Sequence, residues 1–352
     1  MKVKIFKRFL FKFREKSFFL EGRFLSLPEL VMLDKELGLY YSESEDSFKS
    51  IEEIKKDRID RIYPDKKVRE LDFDRVTRYL EEGRSISKEF EIGQREALFV
   101  PEVEYPDLPI VVGLASDIHY GSMGVNYSLL RRYLDVIENV PNFYLATNGD
   151  EVDNFNAVFH ATGMTENPLP PQIQSRAIAG KLLELDAKGK IAVLSQGNHN
   201  RAGFIGGQDW YDSFLSEFRC PVFTSGGLLT IRYGNIDYRI VMNHTYWGKS
   251  KLNVTNAAKR MMEYEGGGDV DIAWVGHTHQ SSYEHFERGN KDVLAVVSGT
   301  YKVDDKWAAQ NGIGGRGQNP GICVMLYPNR RKMEAFKDIE TAVDYMTRFI
   351  TK

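Results

Sequence analysis

Three short apolar runs set the frame for this chain of 352 residues. Ile110 to Ala115, Phe143 to Thr147 and Ile191 to Leu194 are each too short for a helix, and each is apolar at successive positions. That is the pattern of strands covered on both faces. Helix-length segments separate them, Tyr127 to Val140 and about Gln172 to Ala187. Strand, helix, strand, helix, strand at this spacing predicts an α/β core with parallel strands.

Further along, the rhythm changes. Leu228 to Tyr233 and Ile236 to Met242 flank the turn Gly234-Asn235, and Tyr283 to Glu287 and Val293 to Val297 flank Gly289-Asn290. Ile322 to Tyr327 with Lys332 to Phe336 is a third such pair. Parallel strands followed by hairpins predict two sheets packed face to face. Trp210 to Phe218 is expected to be a helix.

Upstream of Leu108 the texture differs again. Residues 1 to about 16 alternate aromatic or aliphatic with basic side chains, the period of a half-buried edge strand or of a basic face for phosphate. Ser26-Leu27-Pro28-Glu29 reads as a helix start, and further helices are expected from about Ser47 to Tyr63 and Asp74 to Glu82. Pro101, Pro106 and Pro109 punctuate the approach to the first strong strand. The expected division is a mostly helical, charge-rich module over 1–105 and a second domain over 106–352.

Composition narrows the function classes. With 42% hydrophobic and 12% aromatic residues the chain is an ordinary globular sequence, and a net charge of -3 provides no global attraction to nucleic acid or anionic membranes. Its two cysteines, Cys220 and Cys323, have no CxxC spacing, so neither a disulfide framework nor a thiolate zinc site is expected. The N-terminal apolar positions are broken by Lys and Arg, unlike a signal peptide, and no run approaches a membrane span. A soluble, cytoplasmic protein is the expectation. The glycine-rich stretch from Trp307 to Pro320 lacks the Lys-Ser/Thr of a phosphate-cradling loop.

Chemistry gathers where the strands end. Asp117 and His119 follow the first strand, and Asp150 and Asp153 follow the second, after Gly149 allows a tight turn. Asn198 and His199 follow the third, His244 ends a hairpin strand, and His277 and His279 follow Ile272 to Val275. Five of the seven histidines fall at these ends, leaving His160 and His285 elsewhere. Ligands of open α/β sheets collect at carboxyl ends of strands, so these groups can converge. Imidazole, carboxylate and one amide oxygen without thiolate suit manganese, iron, zinc or cobalt. Seven candidate ligands exceed what one ion needs. Two cations about 3.5–4 Å apart can hold a hydroxide and clamp both oxygens of an in-line phosphoryl displacement, which is phosphoester hydrolysis.

The ordered set Asp117-x-His119, Gly149-Asp150-x-x-Asp153, Gly197-Asn198-His199, His244 and Gly276-His277-x-His279 resembles the signature of calcineurin-like metallophosphoesterases. The resemblance covers residues 117 to 279 and implies a four-layer αββα sandwich of two mixed β-sheets flanked by helices. It implies Asp117, His119 and His279 on one metal, Asn198, His244 and His277 on the other, and Asp150 bridging them. It further implies His199 as proton donor or transition-state stabiliser, oriented by Asp153.

Two departures bear on function. The family often has Asp or Glu after Gly-Asn-His, where this chain has Asn200, so a charge that would raise the His199 pKa is missing. The protein Ser/Thr phosphatase branch resembles Gly-Asp-x-Val-Asp-Arg-Gly and Arg-Gly-Asn-His-Glu, whereas Asn154, Phe155 and Gln196 stand here. A phosphodiesterase is therefore expected, acting on a nucleic acid or nucleotide. A phosphomonoesterase of small molecules, or a catalytically silent binding module, is the alternative. Arg201, Tyr246 and Trp247, with the long loop from Phe155 to Gln172, are the expected substrate contacts.

Overall fold

The computed structural model describes residues 95–154, 166–201, 217–224, 226–265, 269–304 and 320–350, with short pieces at 18–20, 23–25, 39–42, 47–50, 77–78 and 81. Two compact units divide the chain, Met1–Glu91 and Ile92–Lys352.

In the first unit the described residues form two antiparallel hairpins. Strand β1 (Phe18–Leu20) pairs with β2 (Arg23–Leu25), and β3 (Leu39–Ser42) pairs with β4 (Ser47–Ser50). Strand β4 corrects the expected helix from Ser47. Phe48 sits opposite Tyr41 in the pairing register, and aromatic residues are enriched in strands. The predicted strand over 1 to about 16 and the helix from Ser26 lie outside the described residues, as do most of the predicted helices at 51–63 and 74–82.

The second unit is a sandwich of two six-stranded mixed sheets. Before the first expected strand comes β5 (Glu96–Phe99), which the sequence reading missed on the N-terminal side of residue 105. Then follow β6 (Ile110–Ala115), helix α1 (Tyr127–Asn139), β7 (Phe143–Thr147), α2 (Pro171–Ala187), β8 (Ile191–Ser195), the single turn α3 (Asn198–Arg201) and β9 (Val222–Phe223). The later part holds β10 (Gly227–Tyr233), β11 (Ile236–Asn243), α4 (Asn256–Tyr264), β12 (Ile272–Val275), β13 (Ser282–Arg288) and β14 (Lys291–Val297). It ends with β15 (Gly321–Leu326), β16 (Met333–Phe336) and α5 (Ile339–Ile350). One sheet runs β16-β15-β6-β7-β8-β9 and the other β13-β14-β12-β11-β10-β5. The expected hairpins all form, but β11, β12 and β14 run parallel to one another inside the second sheet.

Side-chain alternation builds the layers. In β6, Ile110, Val112 and Leu114 enter the core between the sheets, while Val111 and Ala115 join the core under the helices. Strand β12 does likewise, sending Ile272 and Trp274 between the sheets and Ala273 and Val275 toward α4. Helix α4 meets them with Ala257, Ala258, Met261 and Met262, a stripe one helical turn apart. Four layers result, helices, sheet, sheet, helix. Among the described residues no helix is long and apolar enough to cross a membrane.

Parallel order has one consequence for the site. Strands β6, β7 and β8 of one sheet are parallel neighbours, as are β11 and β12 of the other. Their carboxyl ends carry the sequence-predicted residues to one edge of the sandwich. There a buried polar link crosses between the sheets: Trp274 Nε1 donates to Ser298 Oγ at 2.6 Å, and Ser298 Oγ donates to the Leu114 carbonyl at 2.8 Å. Ser298→Ala leaves a buried indole N–H without its acceptor. It should cost about 1–3 kcal/mol, read as a lowered midpoint in urea unfolding at unchanged slope.

Candidate metal centre

Each predicted residue sits where its strand ends, and the turns that present them are strained in a consistent way. Asp117, His119, Asp150, His277 and His279 all adopt positive φ, between 51° and 66°. Non-glycine residues rarely do so, and such conformations concentrate at functional sites. Backbones also come very close: a Cβ on Gly197 would lie 2.1 Å from Asp150 Oδ1.

Around Asp117 the pieces of a first cluster converge. Its Oδ2 accepts from Ser116 Oγ at 2.6 Å and from the His277 N–H at 2.8 Å. Its Oδ1 is buried without a hydrogen-bond partner, 3.2 Å from His279 Nε2 and 3.8 Å from His119 Nε2. The two Nε2 atoms face each other at 3.0 Å. Two imidazole nitrogens and an orphaned carboxylate oxygen pointing at one spot are the donor set of a cation.

A second cluster holds Asp150, His244 and His277. His244 Nδ1 faces the Asn148 carbonyl at 2.6 Å, so it carries the proton and leaves Nε2 with its lone pair. That Nε2 lies 2.9 Å from Asp150 Oδ2 and 3.1 Å from Asn198 Oδ1. Three lone pairs again face one another, a repulsive arrangement unless a proton or a cation sits among them. The residues therefore fit the divalent ions that the sequence implies.

The charges show how tense the edge is. Burial disfavours a charged imidazole, yet Asp117 and Asp153 hold His119 up to about 10, and Asp150 and Asp117 hold His244 up to about 9. Burial also opposes the carboxylates, but the histidines outweigh it, holding Asp117 well below its usual range and Asp153 at about 2. His277 goes the other way, down to about 4, through burial and the neighbouring His244. His199 is lowered first by burial.

One predicted pairing is corrected. The Asp153 carboxylate does not orient His199; its Oδ1 lies 2.9 Å from His119 Nδ1, a charge contact rather than an aligned hydrogen bond. It is the Asp153 backbone carbonyl that meets His199 Nδ1. The other carboxylate oxygen accepts from Asn167 Nδ2 at 2.7 Å. Lys302, which the sequence reading missed although it follows the end of β14, sets its ammonium 3.4 Å from Asp153 Oδ1. His199 is fixed through its backbone, whose N–H donates to Asp150 Oδ1 at 2.8 Å. Its Nε2 lies 4.0 Å from Asp150 Oδ2.

Of the expected substrate contacts, Tyr246 is buried against the core under α4 and its hydroxyl donates to Glu265. Trp247 is exposed. The Arg201 side chain, Phe159, His160 and the glycine-rich loop lie outside the described residues.

Asn200 turns out to be a buried clamp and not a missing charge beside His199. Its Oδ1 accepts from the Gly197 N–H at 2.9 Å and the Asp150 N–H at 2.8 Å. Its Nδ2 donates to Glu151 Oε2 at 3.0 Å. Glu151 is fully buried, and burial raises its pKa.

No family model matches the chain, and no curated protein does. Solved structures similar to it include Vacuolar Protein Sorting 29 from Cryptosporidium parvum, 14% identical, covering 65% of this chain and 99% of that one at a TM-score of 0.35. The Pseudomonas putida nuclease MPE is 13% identical over 64% of this chain and 87% of its own, with a TM-score of 0.28. The sulfate thiohydrolase SoxB of Thermus thermophilus is 11% identical over 69% and 60%, with a TM-score of 0.32. Likenesses this weak leave the function to be read from the site.

The clamp makes a direct prediction. Asn200→Asp sets a second carboxylate against Glu151 and removes the donor between them, and should destabilise by about 1–3 kcal/mol. Adding Glu151→Gln should restore most of the loss. A double-mutant cycle in urea measures the coupling, and additive losses would refute the contact.

Proposed function

We propose that this chain is a calcineurin-like metallophosphoesterase that hydrolyses phosphodiesters using two divalent cations, manganese foremost among manganese, iron, zinc and cobalt. The observation that carries the reading is the meeting of imidazole nitrogens with carboxylate and amide oxygens at one edge of the sandwich. There Nε2 of His119 faces Nε2 of His279 at 3.0 Å, and Nε2 of His244 faces oxygens of Asp150 and Asn198. Asp117, His119 and His279 would hold one ion, and Asn198, His244 and His277 the other, with Asp150 between them.

When bound, such a pair supplies Lewis acidity and a nucleophilic water at neutral pH. The chain does the rest. Asp153 and Lys302 hold His119 in place from behind. His199 keeps its side chain 21% exposed while its backbone is tied to Asp150. With Nδ1 against the Asp153 carbonyl, its Nε2 would serve a substrate oxygen, exchanging a proton or stabilising charge there. The preference for diesters rests on Asn154, Phe155 and Gln196, which stand where the protein-phosphatase branch resembles Arg-Gly and Arg.

Metal analysis of the purified protein should give two divalent ions per chain. His199→Ala should retain both and lose about 10²–10⁴ of the rate on bis(4-nitrophenyl) phosphate, while Asp150→Asn should lose more metal than Asp153→Asn. Turnover of 4-nitrophenyl phosphate alone would reverse the diester assignment. A wild-type protein with neither ions nor turnover would leave a sandwich used only for binding.

A further inference from the structure

Next to the cation centre lies an aromatic surface that the metal chemistry does not use. Trp247 follows His244 by three residues, which keeps their Cα atoms within about 10 Å of each other. Trp247 is 52% exposed, and Tyr264, on α4, is 67% exposed. The two rings lie 5.3 Å apart with 37° between their planes, and the Arg260 guanidinium sits over the Trp247 ring at 4.4 Å. Arg260 and Tyr264 are one helical turn apart and share a face of α4.

The surface is braced before anything binds. Asn256 Nδ2 donates to the Gly248 carbonyl at 2.7 Å, tying the loop to the helix, and the buried Tyr246 anchors it from below. Lys249 adds an ammonium within electrostatic reach of Asp117 and His277. Large rings held in water do little for the fold, and exposed apolar surface of this kind marks contact sites. Nucleobases stack on aromatic side chains, and arginine adds cation–π attraction. A diester group at the cations with a flat ring one chain step away is a nucleotide unit.

We propose that Trp247, Tyr264 and Arg260 form a nucleobase-stacking subsite beside the cation centre, which makes the substrate a nucleotide or a single-stranded nucleic acid. This deepens the phosphodiesterase reading and rests on it, but it can be tested without turnover.

The test is fluorescence anisotropy of the full chain in EDTA, with a labelled single-stranded oligonucleotide and an abasic strand of equal length, so that only the bases differ. Trp247→Ala should weaken binding of the base-bearing strand about tenfold and leave the abasic strand unchanged. Trp247→Phe, which keeps a ring, should restore most of the affinity. Competition by a mononucleotide as strong as by the oligonucleotide would assign the site to free nucleotides, and competition by the strand alone would assign it to nucleic acid. Equal binding of both strands by wild type, or equal weakening of both by Trp247→Ala, would overturn the subsite. Failure of hydrolysis on every ester would count against the phosphodiesterase and leave this binding result standing.

Discussion

Buried negative charge at the edge of the sandwich is the constraint on which the rest depends. Asp117, Asp150, Glu151, Asp153 and Glu166 are all at most 4% exposed. Carboxylates are not left in such places without compensation, because removing an ion from water costs several kcal/mol. Among the described residues Lys302 is the one buried ammonium, and it faces Asp153 and Glu166. The histidines answer much of the remaining charge, which is why His119 and His244 hold protons so tightly. A divalent ion could take the place of those protons, releasing them as it binds.

The same constraint accounts for the strain. Among the described residues seven non-glycine residues have positive φ, and five are predicted ligands. A relaxed turn would aim these side chains apart. Packing the sheets so that Gly197 and Gly149 bring two turns together holds the strained conformations in place, and the two six-stranded sheets provide the rigidity.

Much of this was legible in the chain. Strand ends could be read from apolar runs such as Ile110 to Ala115, and the ligand types stood immediately after them. Less legible were contacts that depend on which way a side chain turns. Asp153 could serve either His119 or His199 from the same backbone position, and only packing against Lys302 and Asn167 decides. Tyr246 and Trp247 are neighbours of similar chemistry, yet one joins the core beside α4 and the other is exposed. The strand β4 was misread since Phe48 and Ile51 fit a helical stripe, and pairing with Tyr41 is invisible to a local window.

Asn154 and Asn200 show how uncharged residues can shape the candidate centre as much as its expected ligands do. Asn154 Nδ2 donates to the His199 carbonyl at 2.8 Å, and its own N–H donates to Gln174 Oε1 at 3.0 Å. An arginine at 154 would have to place a long cation where this amide closes the turn holding His199. Asn200 likewise needs both its acceptor and its donor, the first for two backbone N–H groups and the second for Glu151. A carboxylate at 200 offers no donor, so it is compatible only with a neutral partner at 151. The edge keeps a buried carboxylate at Glu151, and His199 is lowered first by burial, against the opposing pull of the Asp150 and Asp153 charges.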